Sequence, residues 1–515
     1  MNIKAKLAVL LAVLLTTATA AGCGAASTTG SSSTGAATSS STSTSTAQSA
    51  QSSTEAASTV ELSTQSASGA GEDWQSASST TIALNGTTAE ITGAGAEAAE
   101  GIVTISKGGV YVLSGSFTGS IVVAASSGDD VQLVLNGVTL QADKNAAIYC
   151  SQADNLLITL ADGTTNSVTD AENFAYSDVT NEEPDAAIFS KIDLTIDGTG
   201  SLTVVANYNN GIGTKDDLVV ESGTLDITAA NHGMRGRDSV TVLDADITIS
   251  SGADGIQSNN DEDTSKGWIT LSDGSYQITA GNDAVQAETA LTVSGGSYTL
   301  TTGGGNTVTP ADTTGSYKGL KAGTILTVSG GTFVIDSADD AVHSNADISI
   351  TGGDFTISTG DDGVHADGNM TIGGSGTKIE ILTCYEGLEA KTMTIEDGIV
   401  TIDSTDDGIN IAGGNDSGAG GRFGADNFGS VSSDQWLLIS GGTITVRAGS
   451  DAIDINGNGE MTGGTVDLTA ALLGEGQTLD VDGSWTKTGG ELTETGGSGP
   501  GGPGGTGGMG GGRAR

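Results

Sequence analysis

The chain has 515 residues, of which 36% are hydrophobic and 4% aromatic, and glycine occurs 81 times. Its 63 acidic residues against 18 basic residues give a formal net charge of −45. Such a charge excludes nucleic acid and anionic membrane faces as partners held by direct electrostatic attraction. The composition differs from that of an ordinary globular domain and indicates a repetitive fold.

The N-terminal segment, residues 1–22, is predicted to be a lipoprotein signal peptide. Lys4 and Lys6 precede an apolar run over Leu7–Leu15, which is too short to cross a bilayer. Small residues then lead to Cys23 in the sequence AAGC, which is similar to a bacterial lipobox, although leucine is usual at the first of these positions. We expect Cys23 to be lipidated; the alternative is an ordinary secretory cleavage site.

Two segments of biased composition flank the region that is expected to fold, residues 77–492. Residues 23–76 are rich in Ser and Thr and hold too little apolar surface to fold, so they are expected to form a disordered tether. Residues 493–515 are rich in glycine and are expected to be disordered as well. Together these features predict an extracellular protein that is anchored to the cell membrane only by its lipid and that faces the cell wall.

The folded region contains a repeat of about 22 residues, each with three short alternating segments rich in Val, Ile and Thr. Gly-Gly, Gly-Asp or Asn turns separate these segments, and no helical period occurs. The pattern predicts an all-β fold, a right-handed parallel β-helix solenoid with three short strands per coil. A β-sandwich is the alternative, but it would need hairpin signals. The copies align on one aliphatic residue, called the anchor: Ile148, Ile188, Ile212, Met234, Ile256, Val285, Leu320, Val342, Val364, Leu388, Ile409 and Ile453.

In a stacked solenoid each repeat position forms a line of side chains along the stack. Two residues before the anchor, most copies carry an acid; the residue between is always Gly or Ala, which is expected to leave room beside the acids. The acidic line consists of Asp254, Asp283, Asp340, Asp362, Glu386, Asp407 and Asp451, interrupted by Lys318. The partner column, one residue after the anchor, consists of Gln257, Gln286, Lys321, His343, His365, Glu389, Asn410 and Asp454.

Carboxylates on neighbouring coils would lie about 5 Å apart, a distance at which they raise their pKa values or bind a cation. Ca²⁺ is the expected cofactor, because it takes about six to eight oxygen ligands of the kind that Asp, Asn and backbone provide. The alternative is that aspartate merely suits the turn geometry and solubility. The predicted calcium ligands are Asp339, Asp340, Asp361, Asp362, Asp367, Asp406, Asp407 and Asp451.

A few side chains beside the acidic line are candidates for ligand contact. His343 and His365 occupy equivalent positions in adjacent copies, so their rings are expected to stack or to share a ligand, unless they are exposed and without a role. A zinc site would need a further nitrogen or sulfur ligand nearby. Tyr317 and Tyr385, each three residues before an anchor, indicate a partial stacking surface for sugars. Two further aromatic residues, in or beside inserts, are either sugar contacts or loop anchors: Trp268 and Trp436.

The stretches GGVYVLSGSFTGSIVV and LVLNGVTL precede repeats of Asp or Asn, Gly or Ala, and Ile or Val, with SGG or TGG turns. This combination resembles a family of bacterial cell-surface carbohydrate-binding proteins, known from cellulose-degrading clostridia, with a polysaccharide-lyase-like, calcium-containing right-handed β-helix. The resemblance covers about Ala77–Leu492. It implies a surface protein that binds cellulose or acidic, pectin-like polysaccharide without catalysis, and we expect it to act as a monomer.

Two other classes of function, an enzyme and a structural protein, stay open at this point. A calcium-dependent polysaccharide lyase of the pectate type would need an Arg or Lys base, for which Lys318, Lys321 and Arg235 are the candidates near the acidic line. A glycosidase would need two carboxylates at a defined separation, and an acidic line always supplies such pairs. The other function is that of a structural cell-wall spacer or adhesin.

Overall fold

The structure is a computed structural model, and it describes residues 74–75, 77–175, 183–412, 431–471 and 476–497. The predicted signal peptide, Cys23, nearly all of the predicted tether and most of the glycine-rich tail lie outside these ranges. Within them every regular element is a β-strand, and they contain no helix with the length and apolarity needed to cross a membrane.

The described strands begin with two antiparallel pairs, β1 with β2 and β3 with β4, before parallel pairing takes over. From β5 onward the described pairs are parallel. The first ten strands are β1 (Ser79–Gly86), β2 (Thr88–Thr92), β3 (Ala96–Ala99), β4 (Ile102–Ile105), β5 (Gly109–Thr118), β6 (Ser120–Ala124), β7 (Val131–Gln141), β8 (Ile148–Gln152), β9 (Leu156–Leu160) and β10 (Thr165–Thr169).

The strands from β11 to β24 each pair in parallel with the strand three further along the chain, for example β14 with β17 and β17 with β20, whereas β25 and β26 each pair with the strand two further along. Such pairing stacks successive repeats on one another in register. These strands are β11 (Ala186–Ser190), β12 (Leu194–Gly198), β13 (Ser201–Ala206), β14 (Asn210–Thr214), β15 (Asp217–Val220), β16 (Thr224–Ala229), β17 (Met234–Gly236), β18 (Ser239–Val242), β19 (Ala245–Ser251), β20 (Ile256–Ser258), β21 (Trp268–Leu271), β22 (Gly274–Ala280), β23 (Val285–Ala287), β24 (Ala290–Val293), β25 (Ser297–Thr302) and β26 (Leu320–Ala322).

In the remaining strands some neighbours merge through Gly-Gly turns, but the parallel register continues. The last described strand ends at Thr495, beyond the predicted end of the solenoid. These strands are β27 (Ile325–Ser337), β28 (Val342–Ser344), β29 (Asp347–Thr359), β30 (Val364–Ile372), β31 (Lys378–Cys384), β32 (Leu388–Ile395), β33 (Ile399–Ser404), β34 (Ile409–Ile411), β35 (Trp436–Ile439), β36 (Thr443–Arg447), β37 (Ile453–Ile455), β38 (Asn458–Met461), β39 (Thr465–Thr469), β40 (Asp480–Val481), β41 (Trp485–Lys487) and β42 (Glu491–Thr495).

The core is built from columns of identical repeat positions. The predicted alignment of the anchors is confirmed, because consecutive anchors are register partners from Ile188 to Ile453 and are buried. A second column stacks the rings of Tyr276, Tyr298, Phe333 and Phe355, with successive centroids 4.5, 4.7 and 4.3 Å apart. Outward positions alternate with these buried ones, as a pleated strand requires.

The small residue between the acidic line and the anchor has a different role from the expected one. Ala284, Ala341 and Ala452 are fully buried, and a Cβ added to Gly363 would lie 2.4 Å from Ile381 Cδ1 and 2.6 Å from the Gly387 carbonyl oxygen. The restriction to Gly or Ala therefore reflects close packing of neighbouring coils; the expectation that it leaves open space beside the acids was wrong.

Candidate functional site

The acidic line lies where each turn enters the short strand that carries the anchor. One carboxylate oxygen accepts a hydrogen bond from the backbone N–H of the equivalent residue in the next coil. These bonds run from Asp283 N to Asp254 (3.1 Å), from Asp362 N to Asp340 (3.1 Å) and from Glu386 N to Asp362 (3.1 Å). This oxygen therefore links adjacent turns, so the acidic line has a structural role in addition to any role in binding a cation.

The second oxygen faces the partner column, because residues two before and one after the anchor point to the same side. Gln257 Nε2 donates to Asp254 at 2.6 Å, and His343 Nδ1 lies 2.8 Å from Asp340 Oδ2. Asp254 and Asp340 are thus each held by a backbone donor on one side and a partner-column side chain on the other. Both columns could be predicted from the sequence, but the hydrogen bonds between them could not.

The three basic residues named as candidate lyase bases are all held by carboxylates. Lys318 Nζ lies 2.8 Å from Asp339 Oδ1 and 2.7 Å from Asp340 Oδ2, and Arg235 is ion-paired with Asp185. Lys321 Nζ lies 3.3 Å from an oxygen of the Asp283 carboxylate. Burial of Lys318 disfavours its charge, but the two carboxylates outweigh this effect and raise its pKa.

Asp339, Asp340 and Asp361 bring oxygens within 4.8 Å of one another, as expected for calcium ligands. The Lys318 ammonium, however, already contacts two of the three carboxylates. Burial of the Asp340 carboxyl opposes ionisation, but Lys318 holds its pKa well below the usual value. A divalent cation would have to displace the ammonium, so this group does not fit calcium well.

Asp407, Asp451 and Asp454 form a second group with oxygens within 4.8 Å of one another. Asp407 Oδ1 accepts the backbone N–H of Asp451 at 2.8 Å. Burial, together with the charge of Asp451, raises the pKa of Asp407 to about 7; burial and the charges of Asp407 and Asp451 raise that of Asp454 to about 8. Mutual repulsion of this kind is relieved when a cation binds. This group fits calcium better than the group at Lys318.

The two histidines lie side by side, with ring centroids 4.9 Å apart. His343 is held at both nitrogens, by Asp340 Oδ2 at 2.8 Å and by Asn345 Oδ1 at 2.9 Å. His365 Nδ1 lies 3.1 Å from Asp362 Oδ2 and 3.0 Å from Glu389 Oε2. Both rings are buried, so the reading of the histidines as exposed residues was wrong.

The other residues predicted to contact calcium or a ligand lie at separate places near the acidic line. Asp367 Oδ1 lies 3.3 Å from His365 Nε2. Tyr317 donates its hydroxyl to the Asp312 carbonyl oxygen at 2.8 Å. A hydrogen bond to Asp406, together with burial, raises the pKa of Tyr385. Both tyrosines are half-buried, and their hydroxyls are engaged within the protein.

A second surface, called the tryptophan face, lies on the strands that follow the anchors. Trp268 begins β21 and Trp436 begins β35, and these strands are linked by six successive parallel pairings. At about 4.8 Å per pairing the two rings are separated by about 29 Å along the stack. Trp436 is 40% exposed and Trp268 is half-buried. The two rings therefore project from equivalent positions of one sheet.

Between the tryptophans runs a row of half-exposed hydroxyl groups, two residues further along each strand. Successive members are register partners, and no charged residue interrupts them. The row consists of Thr270, Thr292, Thr327, Ser349, Thr371 and Thr394. Sequence reasoning missed this row, although the alternating Thr in LTV, ITL and MTI segments is its signal.

A family model described as "Carbohydrate-binding domain-containing protein" matches residues 99–363. The chain therefore belongs to this family of carbohydrate-binding domain-containing proteins. The matched range includes Trp268 and His343, and it ends before Asp407, Trp436 and Asp451.

A curated relative is the carbohydrate-binding domain-containing protein of Acetivibrio thermocellus, which is 42% identical over 136 residues. The alignment covers 26% of this chain and 48% of the relative, so the chain spans about half of the length of that protein. A solved structure, the gadolinium derivative of the polysaccharide lyase-like protein from C. thermocellum, is 29% identical and covers 59% of this chain and 96% of its own, with a TM-score of 0.40.

Proposed function

We propose that the protein is a non-catalytic, lipid-anchored surface protein that binds a linear polysaccharide along the tryptophan face. The observation that carries this proposal is the placement of Trp268 and Trp436 on one sheet, with a hydroxyl row between them. Aromatic rings offer apolar faces to sugar rings, and hydroxyls offer hydrogen-bond donors and acceptors. Membership in a carbohydrate-binding family supports the ligand class.

The glycan that suits this face best is a neutral one of the cellulose type. The net charge of −45 opposes an acidic, pectin-like polymer. Such a polymer could be held only if a divalent cation bridged its carboxylates to those of the protein. We therefore rank cellulose-like polymers first, and acidic polymers second and only with calcium.

Calcium is proposed as a stabilising cofactor at Asp407, Asp451 and Asp454. Support comes from three carboxylates with oxygens within 4.8 Å and from the pKa values of all three, which burial raises. Calcium bound there would link neighbouring coils and relieve the repulsion between their charges. We also propose the expected right-handed coil of three strands; the pairing of β14 with β17 and of β17 with β20 supports the number of strands per coil.

The lyase alternative is disfavoured by the state of the candidate bases. A base must be neutral to accept the proton next to a uronate carboxylate. Lys318 is half-buried between two carboxylates that favour its protonated form, and Arg235 is ion-paired. Neither arrangement leaves a free base, which supports a binding role.

The test is retention of the purified protein on insoluble cellulose and on polygalacturonate gel, with calcium or with a chelator. We expect retention on cellulose in both conditions, and on the acidic gel only with calcium. Ultraviolet absorbance of unsaturated uronides in the supernatant would instead establish a lyase. Absence of retention on both polymers would leave the spacer or adhesin function.

A further inference from the structure

We propose that Asp362, His365 and Glu389 form a binding site for a borderline divalent cation of the zinc type, separate from the proposed calcium site. The three residues bring ligand atoms within 4.8 Å of one another, and all three are buried. His365 Nδ1 faces two carboxylates at once, with Asp362 Oδ2 at 3.1 Å and Glu389 Oε2 at 3.0 Å. This inference does not depend on the proposed polysaccharide function.

The observation that points to a cation is the lack of a hydrogen-bond donor to the Glu389 carboxylate. Its side chain is 0% exposed, and neither carboxylate oxygen has a hydrogen-bond partner among the described residues. His365 Nδ1 has only one proton or one lone pair in the plane of the ring, and its hydrogen bond is with Asp362 rather than with Glu389. Glu389 therefore has nearby only a nitrogen that it shares with Asp362, and a buried carboxylate without a hydrogen-bond donor of its own is costly, so a cation would stabilise this position.

The adjacent coil offers a further oxygen. Asn410 is the register partner of Glu389, and its Nδ2 donates to Glu386 at 2.8 Å. Its Oδ1 is buried and has no hydrogen-bond partner in the described part of the chain. Hence two consecutive positions of the partner column present unsatisfied acceptor oxygens, and the first of them, Glu389, lies beside His365.

The ligand types favour zinc over calcium. An imidazole nitrogen with carboxylate and amide oxygens suits zinc and similar cations, whereas calcium takes only oxygens. Ligand atoms about 2.1 Å from a tetrahedral zinc ion lie about 3.4 Å apart. The observed separations of 3.0 and 3.1 Å would need to open by only a few tenths of an ångström.

The second ring nitrogen of His365 is also suitably placed. Asp367 Oδ1 lies 3.3 Å from Nε2, on the side away from Asp362 and Glu389, although without full hydrogen-bond alignment. A carboxylate in this position commonly orients a metal-bound histidine. The sequence argued against zinc because two histidines alone are too few ligands; the fold adds the carboxylates.

Asp340, His343 and His365 also lie within 4.8 Å, but this group is a weaker candidate. Lys318 Nζ already contacts Asp340 Oδ2 at 2.7 Å, and both nitrogens of His343 have partners. His343 is therefore a matched control: it has the same residue type and repeat position as His365, one coil away.

The test is titration of the full chain with Zn²⁺ by calorimetry in excess calcium, with zinc content measured after dialysis. We expect one zinc ion per chain, with affinity at least tenfold weaker in H365Q and E389Q and within about twofold of wild type in H343Q. An unchanged D451N would show that the zinc and calcium sites are independent.

Failure to fold would be judged by the melting temperature of each variant in chelator. If a variant does not fold, the test is instead a spectroscopic measurement on the wild type with Co²⁺, which should show imidazole coordination and a single bound ion. Absence of a stoichiometric zinc ion in the wild type, or equal loss in H343Q, would overturn the proposal. Loss of cellulose retention with intact zinc binding would count only against the polysaccharide function.

Discussion

The placement of two tryptophans on one sheet makes a quantitative prediction about polymer binding. Trp268 and Trp436 are separated by six strand pairings, or about 29 Å at about 4.8 Å each. A linear polymer can contact both rings, whereas a disaccharide is too short. When one ring holds the polymer, binding at the other becomes intramolecular, which raises the overall affinity by about 10²–10⁴-fold.

Replacement of Trp436 by alanine should therefore lower the affinity for insoluble cellulose by about 100-fold, the lower end of that range. The affinity for a disaccharide such as cellobiose should fall by no more than about twofold, because the remaining tryptophan still binds it. Replacement of Trp268 should give the same pattern, and the double variant should lose binding to both ligands.

The assay is a depletion isotherm on cellulose combined with a fluorescence titration with cellobiose. The matched control is Ile399→Ala, which removes an apolar side chain that is 50% exposed on a different strand series. The reasoning is refuted if either single variant weakens polymer binding only about twofold, since the two rings would then act independently. Equal losses for polymer and disaccharide would refute it as well.

Three further predictions concern stability. Asp451→Asn should remove most of the calcium-dependent rise in melting temperature, a stabilisation of about 2.7 kcal/mol when calcium is at 100 times its Kd, and should leave the melting temperature in chelator equal or higher. Burial raises the pKa of Asp170 to about 6, above its unfolded value, so its contribution to stability is present below about pH 4 and is lost as the pH rises through 6. Asp170→Asn should therefore make the melting temperature nearly constant between pH 4 and 6. An unchanged dependence of the melting temperature on pH would contradict this. Phe333→Ala should cost about 3–5 kcal/mol, because the ring lies between Tyr298 and Phe355 in the core; a urea midpoint close to wild type would show that the column rearranges to fill the space.

Much of the fold follows from the repeat. Anchors such as Val342, Val364 and Leu388 could be aligned from the sequence, and they are register partners in the structure. Alternating Val, Ile and Thr require strands with one buried face, and a constant repeat length requires the strands to stack in register. The burial of Cys150 and Cys384 follows the same pattern.

The chemistry of the candidate sites depended instead on contacts between coils. The sequence showed that Lys318 interrupts the acidic line, but only the fold shows that its ammonium bridges Asp339 and Asp340. It showed Glu389 as one member of a column, and not as a buried carboxylate beside His365. These contacts depend on side-chain direction and on distances of a few tenths of an ångström, which repeat spacing does not encode.

The inserts show most clearly what the sequence determines and what the tertiary structure determines. Asp407 and Asp451 are 44 residues apart, and Trp268 and Trp436 are farther apart still, yet each pair belongs to one stack of strands. The repeat identified each residue's position within its own coil. Only the tertiary structure decided which side chains of adjacent coils come into contact, because contact depends on side-chain direction and on how an insert leaves the stack while the hydrogen-bonded register continues on either side of it.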